Sequence, residues 1–203
     1  MLERPRPRLV VASGNAHKIQ EMADALGQWF MVEGLPANYD APEETGDTFL
    51  ANARIKAEIA SQRLGTLALA DDSGICVDAL DGAPGIFSAR FAGEHGSDEA
   101  NNDELLRRLG DRPVDQRGAH YVCALSLADQ RGQIFACSGE WFGHIGLRRQ
   151  GSGGFGYDPL FLTADGRTAA ELPPTEKRSI SHRAKALEKL VLWFEQRRTQ
   201  VPG

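Results

Sequence analysis

Cysteine is scarce in this chain: there are three, Cys76, Cys123 and Cys137, and none forms a CxxC pair. An odd count without that spacing excludes a disulfide framework and a zinc knuckle, and fits small core thiols in a reducing compartment. Long apolar runs are missing too; nothing approaches the ~18 residues needed to cross a bilayer, so no membrane partner is expected. The basic start, MLERPRPR, is followed by only about five apolar or small residues before Gly14 and Asn15, too few for the centre of a signal peptide. Cytoplasmic residence is therefore the expectation. Positive charge is not in excess, since 23 Lys and Arg stand against 28 Asp and Glu for a formal net charge of -5. A sequence-independent nucleic-acid binder needs a basic surface to displace counterions, so no nucleic-acid partner is expected. Repeats of solenoid length and low-complexity segments are absent as well.

What is present is an ordinary globular composition, 41% hydrophobic and 25% charged over 203 residues. That length suits a single domain, 1–203, of two intimately joined lobes rather than two domains on a linker. Residues 8–13 read as a buried strand, followed after Gly14-Asn15 by a helix with Ile19, Met22, Ala23, Leu26 and Phe30 at helical spacing. A second helix begins at an N-cap, Asp47 or Thr48, and stops at Gly65. The run TLALADDSGICVDAL predicts a buried strand ending in two acids, a Ser-Gly turn and another extended stretch, then a long Gly/Pro-rich loop over DGAPGIFSARFAGEHG. Residues 98–109 read as a helix and 121–145 as two antiparallel strands around an Asp-Gln-Arg-Gly turn. After a glycine-rich stretch and a short apolar strand, a closing helix sets Ile180, Ala184, Leu187, Val191 and Phe194 on one face. The fold class is α/β, with a mixed, partly antiparallel sheet flanked by helices.

Five segments carry candidate chemistry, each with a plainer reading beside it. Ser13-Gly14-Asn15-Ala16-His17-Lys18 lies between a strand and a helix, where free N–H groups and partial positive charge suit a phosphate chain. The GxxxxGK run of a P-loop is absent, so a simple N-cap with a solvated Lys is the other reading. Glu43 and Glu44 precede the second helix, along which Thr48, Asn52 and Lys56 follow at intervals of four on one stripe. That edge can hold a metal acid and a phosphate-binding Lys, or be a solvated helix face. Asp71-Asp72-Ser73-Gly74 follows a buried strand, a place where one carboxylate can hold Mg2+ while its neighbour takes a proton from water; an Asx turn is the alternative. Phe155, set among glycines and followed by Gly156, Tyr157 and Asp158, can stack on a planar base, with Asp158 accepting from ring N–H groups, or the aromatics can belong to the core. Lys177, Arg178 and Arg183 cluster around His182 at the start of the last helix, where cations oppose the dipole unless an anionic or carbonyl-bearing partner compensates. His95, His120 and His144 lack metal-like spacing and read as surface or core histidines, and the plainer reading of His17 is an exposed side chain.

In this order, SGNAHK, EETGDTF with NARIKA, ADDSG, APGIFSARF, GSGGFGYDP and EKRSISHRAKAL closely resemble the inosine triphosphate pyrophosphatase family, the dITP/XTP pyrophosphatases of non-standard purine nucleotides. The likeness covers about residues 8 to 194. It implies an elongated α/β fold with a central nucleotide cleft between two lobes, a homodimer, and Mg2+-dependent hydrolysis of a purine nucleoside triphosphate to monophosphate and pyrophosphate. By position, Ser13 to Lys18 would hold phosphates, Glu44 and Asp72 the Mg2+, and Asp72 would also accept the proton of water. Lys18 and Lys56 would serve the phosphate chain with Asn52 beside them, Ser73 would touch the substrate, and Phe155 to Asp158, Lys177, His182 and Arg183 would meet base and sugar. Glu43 or Asp71 can replace or join the metal acids. One position departs from the pattern: Ala51 stands where many relatives carry an acid before the helix Asn.

The implied reaction agrees with the residues, because phosphoryl chemistry needs charge neutralisation and an aligned water rather than a covalent nucleophile. Donors at His182 and Arg183 would accept a 6-oxo purine and be left unmatched by adenine. Two other readings are a related pyrophosphatase for modified pyrimidines and a nucleotide-binding regulator without turnover. The paired acids speak against the regulator.

Overall fold

Leu9, Val10 and Val11 are consecutive and all fully buried, a pattern for a strand covered on both faces. In the computed structural model of the protein, whose described residues are 5–93 and 97–199, they form β1 (Arg8–Val11). There follow α1 (Ala16–Leu26), β2 (Met31–Gly34), α2 (Phe49–Leu64), β3 (Leu67–Val77), α3 (Asp98–Leu109), β4 (Gly118–Asp129), β5 (Gly132–Ile145), β6 (Phe161–Leu162), α4 (Pro174–Ile180) and α5 (His182–Thr199). His95 and the first four residues of the basic start lie outside the described residues. No helix among the described residues is long and apolar enough to cross a membrane.

The strands form one six-stranded sheet in the order β2-β1-β3-β4-β5-β6. β1 pairs in parallel with β2 and with β3, while β5 and β6 are antiparallel. β4 and β5, joined by two residues, are antiparallel by the shortness of their link. The sheet is thus mixed and accompanied by helices, as the sequence pattern predicts. The chain packs as two compact units, one made of the stretch through Asp72, Ala124–Ser138 and the stretch from Ala186, the other of Ser73–Cys123 and Gly139–Lys185.

In the first unit the chain goes from β1 out to β2 and then back past β1 to β3. Right-handed crossovers in opposite directions put α1 and α2 on opposite faces of the sheet and make the β1/β3 junction its topological switch point. α1 buries Met22 and Leu26. α2 buries only small residues, Asn52, Ala53, Ala57, Ala60 and Ser61. Ala57 and Ala60 pack with Ala12, Ala68, Ala70 and Ala128, and so thin a layer lets the helix axis lie close to the strands. The N-cap is Thr48, whose side chain accepts from Ala51 N, and Gly65 ends the helix in the left-handed conformation at φ 65°. In the second unit Ile75, Leu105, Tyr121, Trp141, Tyr157 and Phe161 belong to one aromatic-rich core.

Three expectations are corrected, and one strand, β2, had no expectation to match. β3 runs unbroken through LALADDSGICV, with no Ser-Gly turn; Gly74 instead admits a close neighbour, since a Cβ there would lie 2.3 Å from Ser88 Oγ and 2.6 Å from Gly85 O. The long loop contains a 3-10 turn at Gly85–Arg90. β2 gives no sequence signal, being four residues with no alternation in its burial. The closing helix is two helices: extended backbone at Ser181 ends α4, and Ser181 Oγ accepts from Ala184 N to cap α5. Ile180 therefore sits exposed at the end of α4, and α5 buries Ala186, Leu187 and Leu190.

Candidate active site

The first cluster is built at the switch point. Pairing of β1 with β3 ends at Val11 and Leu69, so Asp71 and Asp72 lie just beyond it, where open α/β sheets place their ligands. Successive strand residues face opposite sides, which sends the two carboxylates to different helices. Asp71, its side chain fully buried, forms an ion pair with Lys18 of α1. Asp72 meets Lys56 of α2 at 3.3 Å, and Lys56 also reaches Glu44 at 2.6 Å. Asn15 caps α1 by accepting from His17 N and Lys18 N, and Ser13 Oγ accepts from Asn15 N at 3.1 Å. Around Gly14 a side chain would meet nothing within 4 Å, so this turn has open space before it. Asn52, fully buried, accepts from Gly46 N at 2.8 Å. It thereby fastens the acidic loop to α2. Glu44 is half-buried, whereas Glu43 and His17 are exposed.

Burial raises the Asp72 carboxyl above its ordinary range, with Glu44 adding to the rise and Lys56 and Lys18 opposing it. Burial alone would depress Lys56, but Asp72 and Glu44 outweigh it and the ammonium is held above its usual value. The two shifts look contradictory for one pair, and the distances resolve them: Lys56 lies nearer Glu44, leaving Asp72 less compensated. A carboxylate so raised is a better proton acceptor. Asp72 Oδ2 is buried with no hydrogen-bond partner among the described residues. Hard oxygens from Asp72 and Glu44 suit Mg2+, which commonly takes one or two carboxylates and keeps its waters. Among the described residues no group of three or more His, Cys, Asp or Glu is placed to hold a metal.

The second cluster is organised by Asp158, only 2% exposed. Its Oδ2 accepts from Phe155 N at 2.8 Å and pairs with Lys177 Nζ; its Oδ1 accepts from Tyr121 Oη at 3.3 Å. Gly154 stands at φ +75°, and a Cβ there would come within 2.0 Å of Asp158 Oδ2, so both backbone and neighbour require glycine. Lys177 Nζ and Arg183 Cζ lie over the Phe155 ring, 5.0 and 5.9 Å from its centroid. Arg183 also donates to Ser73 Oγ at 3.1 Å. Tyr157 is buried and donates to Ser88 O at 2.8 Å. Lys177 and Arg178 fall in the last turn of α4, where the dipole favours cations, which corrects their expected place at a helix start. His182, buried, opens α5. His120 stacks on Phe142 at 5.2 Å and His144 is exposed.

Two clusters, one around Asp71 and Asp72 and one around Asp158, thus bring together side chains that lie far apart in the sequence. The sequence model of the Ham1 family matches residues 9–193. The chain belongs to the Ham1 family. It is 52% identical to a dITP/XTP pyrophosphatase of Exiguobacterium sibiricum over 90% of this chain and 94% of that one. A dITP/XTP pyrophosphatase of Vibrio cholerae is 47% identical over 95% and 98% of the two chains. Among solved structures, a HAM1 protein from Coxiella burnetii superposes with a TM-score of 0.84 at 39% identity, covering 94% of this chain and 99% of that one.

Sequence reasoning missed three residues that shape this Ham1 chain's second cluster. Asp98 Oδ2 accepts from Gly156 N at 2.6 Å, and Asn102 Nδ2 donates to Gly156 O at 2.8 Å, so the first turns of α3 grip the glycine-rich loop. Tyr121 is the third. Nothing local marks them, because each acts on a partner 37 or more positions away.

Proposed function

We propose that this chain hydrolyses non-standard purine nucleoside triphosphates, ITP, dITP and XTP, to the monophosphate and pyrophosphate. The observation that carries the reading is the buried, cation-flanked Asp72 carboxylate, raised in pKa beside Lys56 and Glu44. Asp72 takes a proton from water as the water oxygen bonds to the α-phosphorus; the bridging P–O bond breaks and its oxygen and electron pair leave with pyrophosphate. Lys18, Lys56 and the Ser13–Lys18 turn bind the phosphate chain, with Asp71 orienting Lys18. Glu44 and Asp72 would hold Mg2+, Glu44 rather than the exposed Glu43. When bound, that ion neutralises phosphate charge. Phe155, His182 and Arg183 read the 6-oxo base, and Lys177 serves base and sugar. A cytoplasmic homodimer acting on free nucleotides is the setting that fits this role.

The test is release of pyrophosphate and of orthophosphate from ITP, dITP, XTP, GTP and ATP, with Mg2+ and with EDTA. Metal-dependent pyrophosphate release favouring the first three is expected. Asp72→Asn should lower kcat by about 10²–10⁴ with nucleotide affinity largely kept. Wild-type kcat in that variant would remove Asp72 as the proton acceptor, and orthophosphate as the product would move the cleaved bond.

A further inference from the structure

Tyr121 stands in the middle of β4, 7% exposed, with two contacts that a core residue does not need. Its ring lies nearly parallel to that of His182, 10° apart with centroids at 4.7 Å. Its hydroxyl donates to Asp158, whose other oxygen holds Phe155 N and Lys177. We propose that Tyr121 is a positioning residue for base recognition, setting the plane of His182 through its ring and the place of Asp158 through its hydroxyl. The proposal rests on the reading of His182 as a base-recognition group.

The argument is geometric. The hydrogen-bonding atoms of an imidazole lie in the ring plane, so a neighbour that sets the plane also sets where a donor or acceptor points. Tyr121 can serve as that neighbour because it is itself wedged: Phe161 packs on it with centroids 4.7 Å apart, and Trp141 lies at 6.3 Å. Burial and the nearby Asp158 carboxylate hold the phenol well above its ordinary pKa, so it remains a donor at every working pH. Asp158 accepts from Tyr121 through one oxygen and from Phe155 N–H and Lys177 through the other, which ties the stacking loop and the histidine platform to one strand. A phenylalanine would fill the same volume and keep the platform; the hydroxyl is spent on Asp158.

The experiment compares wild type, Tyr121→Phe and Tyr121→Leu for kcat and KM on ITP and ATP, normalised to folded protein by circular dichroism. Tyr121→Phe should raise KM for ITP about 10- to 100-fold with kcat unchanged, the scale of one hydrogen bond to a charged acceptor. Its ITP-over-ATP preference should remain. Tyr121→Leu should raise KM further and reduce that preference at least tenfold. A residue of purely structural importance would instead lower only the folded fraction, leaving normalised kcat, KM and preference intact, and that result overturns the proposal. If Tyr121→Leu does not fold, Tyr121→Phe decides alone, and a wild-type KM there overturns it. Absence of ITP turnover in the wild type would strike the proposed function itself and is seen before either variant is measured.

Discussion

Replacing Gly154 by alanine tests the second cluster most directly. The position has φ +75°, and the new Cβ would sit 2.0 Å from Asp158 Oδ2 and 2.8 Å from its carboxyl carbon. A left-handed non-glycine residue costs about 1–2 kcal/mol. The carboxylate, 2% exposed, has no route to water, so moving it sacrifices the bond from Phe155 N or the pairing with Lys177. A hydrogen bond to a charged group is worth about 1.5–3 kcal/mol, giving a combined loss of about 2.5–5 kcal/mol. For a chain of this length that is a fall of roughly 5–20 °C in the calorimetric midpoint. Because either Phe155 or Lys177 loses its anchor, KM for ITP should rise about tenfold or more, equivalent to 1.4 kcal/mol of lost binding. Differential scanning calorimetry and initial rates on ITP provide the two readouts. A Gly154→Ala protein with a midpoint within 1 °C of wild type and an unchanged KM would refute both the steric argument and the role of Asp158 as anchor.

Two further outcomes follow from other parts of the structure. Gly46→Ala would bring a Cβ within 2.7 Å of both Ala51 Cβ and Asn52 Oδ1, displacing the loop that carries Glu44; ITP turnover should fall at least tenfold with a stability loss of about 1–3 kcal/mol, and retained turnover would show that the loop tolerates the shift. The Cys137 thiol, which donates to Ala186 O at 3.2 Å, is pushed up by burial to about 11, with Lys189 opposing. It should resist iodoacetamide at pH 8, labelling faster as pH approaches 11. Since the folded value is raised, the stability it contributes is complete below the unfolded thiol value and is lost as pH rises toward 11. Cys137→Ala should flatten that alkaline loss in urea titrations, and an unchanged slope would contradict the assignment.

Local chemistry was legible from the residues alone. The helix bounded by Thr48 and Gly65, the 98–109 helix and the hairpin around the Asp-Gln-Arg-Gly turn follow from capping, periodicity and turn residues, all interactions within a few positions. The acids, lysines and glycine-rich loop were visible as residue types with a chemical use, and their order in the chain pointed to the family. What required tertiary structure was the pairing. Adjacent Asp71 and Asp72 serve different lysines because a strand sends neighbours to opposite faces and the crossovers put α1 and α2 on opposite sides. The Ser-Gly turn and the single closing helix were misread because a close approach by Ser88 and a cap at Ser181 override local preference. Tyr121, Asp98 and Asn102 carried no sequence signal at all, since a hydrogen bond to a residue dozens of positions away leaves no mark on the local pattern that would have to reveal it.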